Sequence, residues 1–168
     1  IIPTVSSFSY NYDVDWDNDG IFDDLGVTGN ATKSDFTPTG PHTVRIRGQF
    51  PAIKFGDIIN ELPFNAQIVD KIIAVNQWGA IAWASMESAF SFCDNLEFPA
   101  TDVPDLSGVT NMAGVFFNSP AANPDVSNWD TTNVTVMSSM FFIATSANPN
   151  VSNWNTANVT NMSVMFSG

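Results

Sequence analysis

A repeat of 25 residues constrains this chain more than any other feature of its sequence. The segment 123–129 (NPDVSNW) returns as 148–154 (NPNVSNW), and 133–141 (NVTVMSSMF) returns as 158–166 (NVTNMSVMF). The same pattern occurs one step earlier at 109–116, and in weaker form around Met86 and Phe90. A fixed period of this size with apolar residues at constant positions indicates stacked repeats, because one coil has too little interior to bury alone.

The predicted fold class is α+β: a small antiparallel β unit followed by a short leucine-rich-repeat-like solenoid of about four coils of about 25 residues. Each coil is predicted to contain a strand segment around Trp129 or Trp154, with these two residues stacked. A helical turn is predicted at Met137, Met140 and Phe141, whose i, i+3, i+4 spacing places them on one helix face. The predicted domains are an extended tail (1–9), the β unit (10–56) and the solenoid (57–168).

The β unit is predicted from alternation of apolar and polar residues. Residues 10–17 (YNYDVDWD) have a period of two, which is typical of a half-buried strand, and Asn18-Asp19-Gly20 supplies a turn. A second alternating segment covers 43–47 (TVRIR), and 53–55 (IKF) is a further predicted strand. Pairing of these segments would give a small antiparallel sheet.

The negative charge of the chain limits the kinds of molecule that it can bind. The net charge is −12, and the 97 residues after Lys71 contain seven acidic residues and no Lys or Arg. Such a chain repels phosphate backbones and anionic lipid headgroups, so we expect no nucleic-acid binding and no membrane insertion. Cys93 is the single cysteine, which excludes an intrachain disulfide and a cysteine metal cluster. The chain opens on Ile1 rather than Met, so we expect a processed or partial chain.

The repeat carries a family resemblance. The pattern Val-Thr-Asn-Met-x-x-(Val/Met)-Phe, with Pro-(Asp/Asn)-Val-Ser-Asn-Trp, resembles the BspA-like leucine-rich-repeat surface proteins of bacteria across 76–168. Residues 12–16 (YDVDW) through 43–48 (TVRIRG) are similar to the β segment that precedes such repeats, and in part to polycystic-kidney-disease-type modules. The resemblance implies an extracellular or cell-surface location, a role in adhesion and protein binding, and no catalytic residues. Leucine is scarce here, with Trp, Val, Met and Phe at the core positions.

One stretch has the spacing of a calcium-binding loop. Residues 15–24 (DWDNDGIFDD) place acidic residues at alternate positions before a glycine, the arrangement by which a loop surrounds Ca²⁺ with oxygen ligands. The candidate ligands are Asp15, Asp17, Asp19, Asp23 and Asp24. The alternative is a hairpin tip whose acidic side chains are simply solvated, and no other cofactor is indicated.

Two further sets of polar residues have simpler interpretations. Asn-x-Ser/Thr sequons, the acceptors of N-linked glycans, occur at Asn30, Asn133, Asn150, Asn158 and Asn161. His42 is the single histidine, and the sequence shows neither a nucleophile nor an orienting partner for it, so we expect no enzyme activity.

The functional hypothesis comes from the last coil. The segment 151–168 carries the repeat's apolar residues without a polar terminal repeat, which a stacked array needs at its end. Either the chain continues, or another subunit covers the edge. We expect a structural protein that assembles head-to-tail into a fibre or surface layer, and the alternative is an adhesin that binds a host or neighbour-cell protein or glycan. The predicted assembly residues are Ile1, Ile2, Val5 and Phe8 in a donor strand, with Val151, Trp154, Val159, Met162 and Phe166 in the last coil.

Overall fold

The structure, a computed structural model, describes residues 1–36, 39–57, 62–63 and 69–168. Its strands are β1 (Asn11–Asp15), β2 (Asp24–Val27), β3 (Arg45–Gln49), β4 (Gly56–Asp57) and β5 (Leu62–Pro63). The first three form an antiparallel sheet in the order β2-β1-β3, and β4 pairs with β5. No described helix is long and apolar enough to cross a membrane.

The central strand β1 follows the predicted alternation from Asn11 to Val14, and Asp15 at its end is buried as well. Tyr12 and Val14 are fully buried, while Asp13 on the opposite face binds Arg47 of β3 at 2.9 Å. The register pairs Tyr12 with Gly48 of β3. Gly48 has φ +99°, and an added Cβ would lie 2.8 Å from the carbonyl oxygen of Asn11. Only glycine therefore fits this point of the sheet.

The repeats contain backbone arches, which we define as the segments 86–92, 112–118, 137–143 and 162–168. The first, third, fifth and seventh N–H groups of each of the first three arches donate to carbonyls of the next repeat at 2.7–3.1 Å. Isolated parallel bridges join Asn111 to Val136 and Val136 to Asn161 with the same spacing. Successive repeats are therefore stacked in register, each on the one that follows it.

The predicted fold class is wrong. Residues 76–168 contain no α-helix and no strand longer than a single bridge, so neither the α+β label nor a leucine-rich-repeat-like solenoid describes them. Met137, Met140 and Phe141 are buried as the spacing predicted, but Ser139 between them has φ +55°. A left-handed residue breaks a right-handed helix, and the first, third, fifth and seventh N–H groups of the arch bond to the next repeat rather than along the chain.

Aromatic side chains form a column through the arches. Phe90, Phe116, Phe141 and Phe166 stand at the fifth position of each arch and stack at centroid distances of 6.1, 5.3 and 5.5 Å. The methionines at the first position of the first three arches are fully buried beside them. Burial of such side chains stabilises each repeat by roughly 2–3 kcal/mol per large residue.

Residues 50–56 cover the first arch. Phe55 stacks on Phe90 at 6.2 Å, and its N–H donates to Ala89 at 3.3 Å. The N–H of Ala84 donates to Pro51 at 2.8 Å, which joins the same segment to the first repeat. The strand predicted at 53–55 is absent, because this segment bonds to the arch instead of to the sheet. The β unit thus closes one end of the stack.

Candidate functional site

The last arch lies at the other end of the described stack, and we call residues 158–168 the open edge because the described residues bond to it from one side only. The N–H groups of Met162, Val164 and Phe166 have no acceptor among the described residues, although the equivalent groups of the inner arches are all bonded. Val164 is 55% exposed and Phe166 is 56% exposed. This edge therefore offers both backbone donors and apolar surface.

The open edge exposes only some of the last-coil residues that were predicted to mediate assembly. Met162 and Phe166 are exposed, but Val151, Trp154 and Val159 are half-buried against the preceding repeat. The indole N–H of Trp154 donates to Val126 at 2.9 Å. Trp154 therefore belongs to the contact between two repeats, whereas Met162 and Phe166 lie on the exposed rim.

Sequence reasoning missed Val164, although the repeat alignment contained the signal. This position is Ser88, Gly114 and Ser139 in the earlier arches, with φ between +52° and +60°. Small residues suit a left-handed position, and a β-branched valine at φ +48° is strained there. A large apolar residue at a small-residue position is thus a recognisable departure.

The predicted donor strand is attached to its own chain. Ile2 is buried, and its N–H donates to the carbonyl of Ala31 at 2.8 Å. Ile1 is exposed, whereas Val5 and Phe8 are half-buried and line a cleft of about 240 Å³ beside the first two repeats. Ile2 would have to leave Ala31 before it could pair with another molecule.

Polar groups in that cleft are mutually paired. Glu87 accepts from Lys54 at 3.3 Å and from the side-chain amide of Asn111 at 2.9 Å. The two carboxylate oxygens are therefore engaged, one by the β unit and one by the second repeat. Elsewhere, burial raises the pKa of the Cys93 thiol, which disfavours the reactive thiolate.

The acidic loop contains three of the five predicted calcium ligands in one group. Carboxylate oxygens of Asp15, Asp17 and Asp19 lie within 4.8 Å of one another. Asp23 and Asp24 instead accept from the backbone and indole N–H groups of Trp16 at 2.9 and 2.7 Å. The predicted set is thus divided between a cluster of three carboxylates and a pair that orients Trp16.

Asp15 also determines the shape of this loop. Its oxygens accept from the N–H groups of Asn18 and Gly20 at 2.7 and 3.1 Å. Burial acts to raise its pKa, but these backbone bonds outweigh burial and the pKa is lowered. The side chain is therefore charged and already holds the turn through Asn18 and Gly20, which both have positive φ.

The sequon asparagines fall into two groups. The side-chain nitrogens of Asn133 and Asn158 donate to carbonyls of the preceding repeat at 2.9 and 2.7 Å. At Asn30, Asn150 and Asn161 the side-chain oxygen is the bonded atom. A glycan is attached through the nitrogen, so the first two residues are better suited to holding repeats together than to carrying sugar.

These features define a protein that contains stacked repeats of about 25 residues, covered at one end by the β unit. The family described as "Mycoplasma protein of unknown function, DUF285" matches residues 84–168, which is 85 of the 168 residues, and the chain belongs to that family. The matched segment contains all four described arches. No curated protein and no solved structure matches the chain.

Proposed function

We propose that this chain is a non-enzymatic structural protein, extracellular or at the cell surface, that self-associates through its open edge. The observation that carries the proposal is the row of N–H groups at Met162, Val164 and Phe166, on an arch whose inner counterparts are all bonded. A backbone donor that is buried without an acceptor is costly, so a protein surface can cover this edge only if it supplies acceptors.

The apolar side chains of the edge support association as well. Phe166 stacks on Phe141 with one ring face, at 5.5 Å and an interplanar angle of 4°, and the ring remains 56% exposed. Covering such a ring is worth roughly 2 kcal/mol, in addition to the burial of Met162 and Val164. The resemblance to BspA-like surface proteins supports the proposed location.

Self-association is tested by sedimentation velocity of the 168-residue chain over a range of concentrations. We expect the mass to rise with concentration, and the double variant Val164→Asp/Phe166→Asp to remain monomeric. Ile73→Asp/Val103→Asp adds the same charge at two other exposed apolar positions and should assemble like the wild type. A wild-type chain that is monomeric at every concentration would overturn the proposal.

An adhesin is the second candidate, favoured by a different surface. Phe92, Phe117 and Phe142 form a half-exposed column along the side of the stack, with centroids 5.4 and 5.0 Å apart. Phe117 and Phe142 are nearly parallel at 11°, so their faces meet each other and their edges point outward. Sugars stack on ring faces, so this column favours an apolar protein partner over a glycan. Isolated particles rather than fibres in negative-stain images would favour this candidate.

A further inference from the structure

A lysine, a glutamate and an asparagine meet in the cleft beside the first two repeats. The carboxylate of Glu87 accepts from Nζ of Lys54 at 3.3 Å through Oε1, and from Nδ2 of Asn111 at 2.9 Å through Oε2. The three residues come from the segment 50–56, from the first arch and from the second repeat. One carboxylate therefore holds a primary amine and a carboxamide side by side.

The repeat pattern does not account for this set of side chains. Glu87 is the only charged residue in the four arches, and the second position is alanine or serine in the other three. Asn161 occupies the place of Asn111 two repeats later, but Ser138 stands there in place of Glu87. The backbone bonds between repeats are formed in both places, so stacking does not require the carboxylate.

The surroundings favour the neutral forms of the amine and the carboxyl group. The side chain of Lys54 is 16% exposed and that of Glu87 is 33% exposed, and Val5 and Phe8 line the same cleft. Partial burial withdraws water from both charges, and a proton passed from the ammonium to the carboxylate leaves two neutral groups. A neutral lysine amine is a nucleophile that attacks carbonyl carbons.

The side chain of Asn111 is oriented as the electrophile. Its Oδ1 accepts from the N–H of Ala113 at 2.9 Å, and such a donor stabilises the negative charge that develops on an attacked carbonyl oxygen. Its Nδ2 faces Glu87, which can protonate this nitrogen as it leaves. The flexible four-carbon stem of Lys54 allows Nζ to reach Cγ of the amide.

We propose that Lys54 and Asn111 become joined by an intramolecular isopeptide bond, with Glu87 as the catalytic residue. The ammonium of Lys54 gives one proton to Glu87, and the neutral amine then attacks Cγ of Asn111. Glu87 protonates Nδ2 and takes a proton from the attacking nitrogen, and the bond from Cγ to Nδ2 breaks. The products are a secondary amide, an ammonium ion and the regenerated carboxylate, so protons and charge balance without an oxidant or a cofactor.

The new bond would fasten the β unit to the repeats. It links residue 54, in the segment that covers the first arch, to residue 111 at the start of the second. The single cysteine of the chain cannot supply such a link. A crosslink between distant residues stabilises a fold by restricting the unfolded chain. This modification is separate from self-association and does not depend on it.

Mass spectrometry of the purified 168-residue chain tests the proposal. We expect an intact mass that is lower than the sequence mass by one ammonia. Trypsin should cut an unlinked, denatured chain after Lys54 and Lys71, which gives the peptides 48–54, 55–71 and 72–168. In the linked chain Lys54 is an amide and is not cut, so 48–71 should stay whole and attached to 72–168.

Three variants test the assigned roles. Lys54→Arg keeps the positive charge without a nucleophilic amine, Glu87→Gln removes the acid and base, and Asn111→Ala removes the electrophile, so each should have its full sequence mass. Asn161→Ala is the matched control on a later repeat and should still lose one ammonia.

The wild-type chain alone can overturn the proposal. A full sequence mass, with free peptides 48–54 and 55–71, would mean that Lys54 and Glu87 form an ion pair and nothing more. Loss of ammonia that persists in Lys54→Arg would place the reaction elsewhere, and the proposal would again be wrong. A linked peptide that also forms in Glu87→Gln would remove Glu87 from the catalytic role.

Discussion

The ring of Phe55 stacks on Phe90 at 6.2 Å and 22°, on the opposite side from Phe116, which lies at 6.1 Å and 8°. Phe55 thus occupies the place that an earlier repeat would give to its own phenylalanine. The N–H of Phe55 bonds to Ala89, whose neighbour Phe90 is in the column. Gly56 follows, and a Cβ there would collide with the side chain of Ser91. The segment 50–56 therefore acts as a cap made from the β unit.

Removal of the Phe55 side chain should destabilise the whole stack. We expect Phe55→Ala to lower the free energy of unfolding by about 3–4 kcal/mol, because the substitution leaves a cavity over Phe90. Phe166→Ala removes the same ring from the exposed end of the column and should cost less than about 1 kcal/mol. Urea denaturation followed by tryptophan fluorescence measures both. Equal losses at the two positions would contradict the capping role.

The amide of Asn158 should contribute to the joint between repeats. Asn158→Asp replaces the N–H that donates to Thr132 by an oxygen facing that carbonyl, and we expect a loss of about 1–2 kcal/mol in the free energy of unfolding. Asn148→Asp adds the same charge on the same repeat, where the side chain makes no hydrogen bond among the described residues. A comparable loss at Asn148 would attribute the effect to charge alone.

Acid sensitivity should arise from the aspartate turns. The side-chain and backbone donors of Ser127 and Thr132 lower the pKa of Asp125 and Asp130 below the ordinary value of 3.8. Such groups stabilise the fold above pH 4, and this contribution is lost as the pH falls through their lowered folded-state pKa values.

Asparagine stands at the equivalent positions 150 and 155 and makes similar turn bonds without a titrating proton. The variant Asp125→Asn/Asp130→Asn should therefore keep its stability at pH 7 and lose less of it between pH 4 and 2. The unfolding temperature measured against pH compares the two chains. An unchanged acid slope would mean that other carboxylates cause the sensitivity.

Calcium binding at the acidic loop stays a prediction. If Asp15, Asp17 and Asp19 hold Ca²⁺, millimolar CaCl₂ should raise the unfolding temperature, because an ion that binds only the folded state stabilises it. Asp17→Asn/Asp19→Asn should abolish the rise, whereas Asp102→Asn, which lies outside the loop, should retain it. If CaCl₂ does not change the unfolding temperature of the wild-type chain, the role of Asp15 is to hold the turn and not to bind calcium.

The period of the repeat could be predicted from the sequence, but the backbone of the arches could not. The spacing of Met137, Met140 and Phe141 suits one helix face, and all three side chains are buried as such a face would be. The decisive residue is Ser139, whose left-handed conformation lets the N–H groups of Met137 and Phe141 reach the next repeat. A bond that depends on a residue 24 positions away has no local signal.

The candidate site, like the repeats, could be predicted from the sequence only in part. Met162 and Phe166 were predicted at the rim because they continue the repeat, and both are exposed. Trp154 was placed there by the same reasoning, but its indole reaches back to Val126. The anchoring of Ile2 to Ala31 was also beyond the sequence, since a single bridge leaves no periodic pattern.

The hydrogen bonds between arches are made by main-chain atoms, so they do not require particular side chains at most arch positions. Glycine and serine both stand at the bonded third position of the arch, and alanine and serine supply the facing carbonyl. Repeats can therefore be duplicated, lost or changed on their outer surface, because the same backbone hydrogen bonds align each repeat on the next. Such a protein can change its number of repeats and its surface residues in evolution while the hydrogen bonds that stack the repeats are retained.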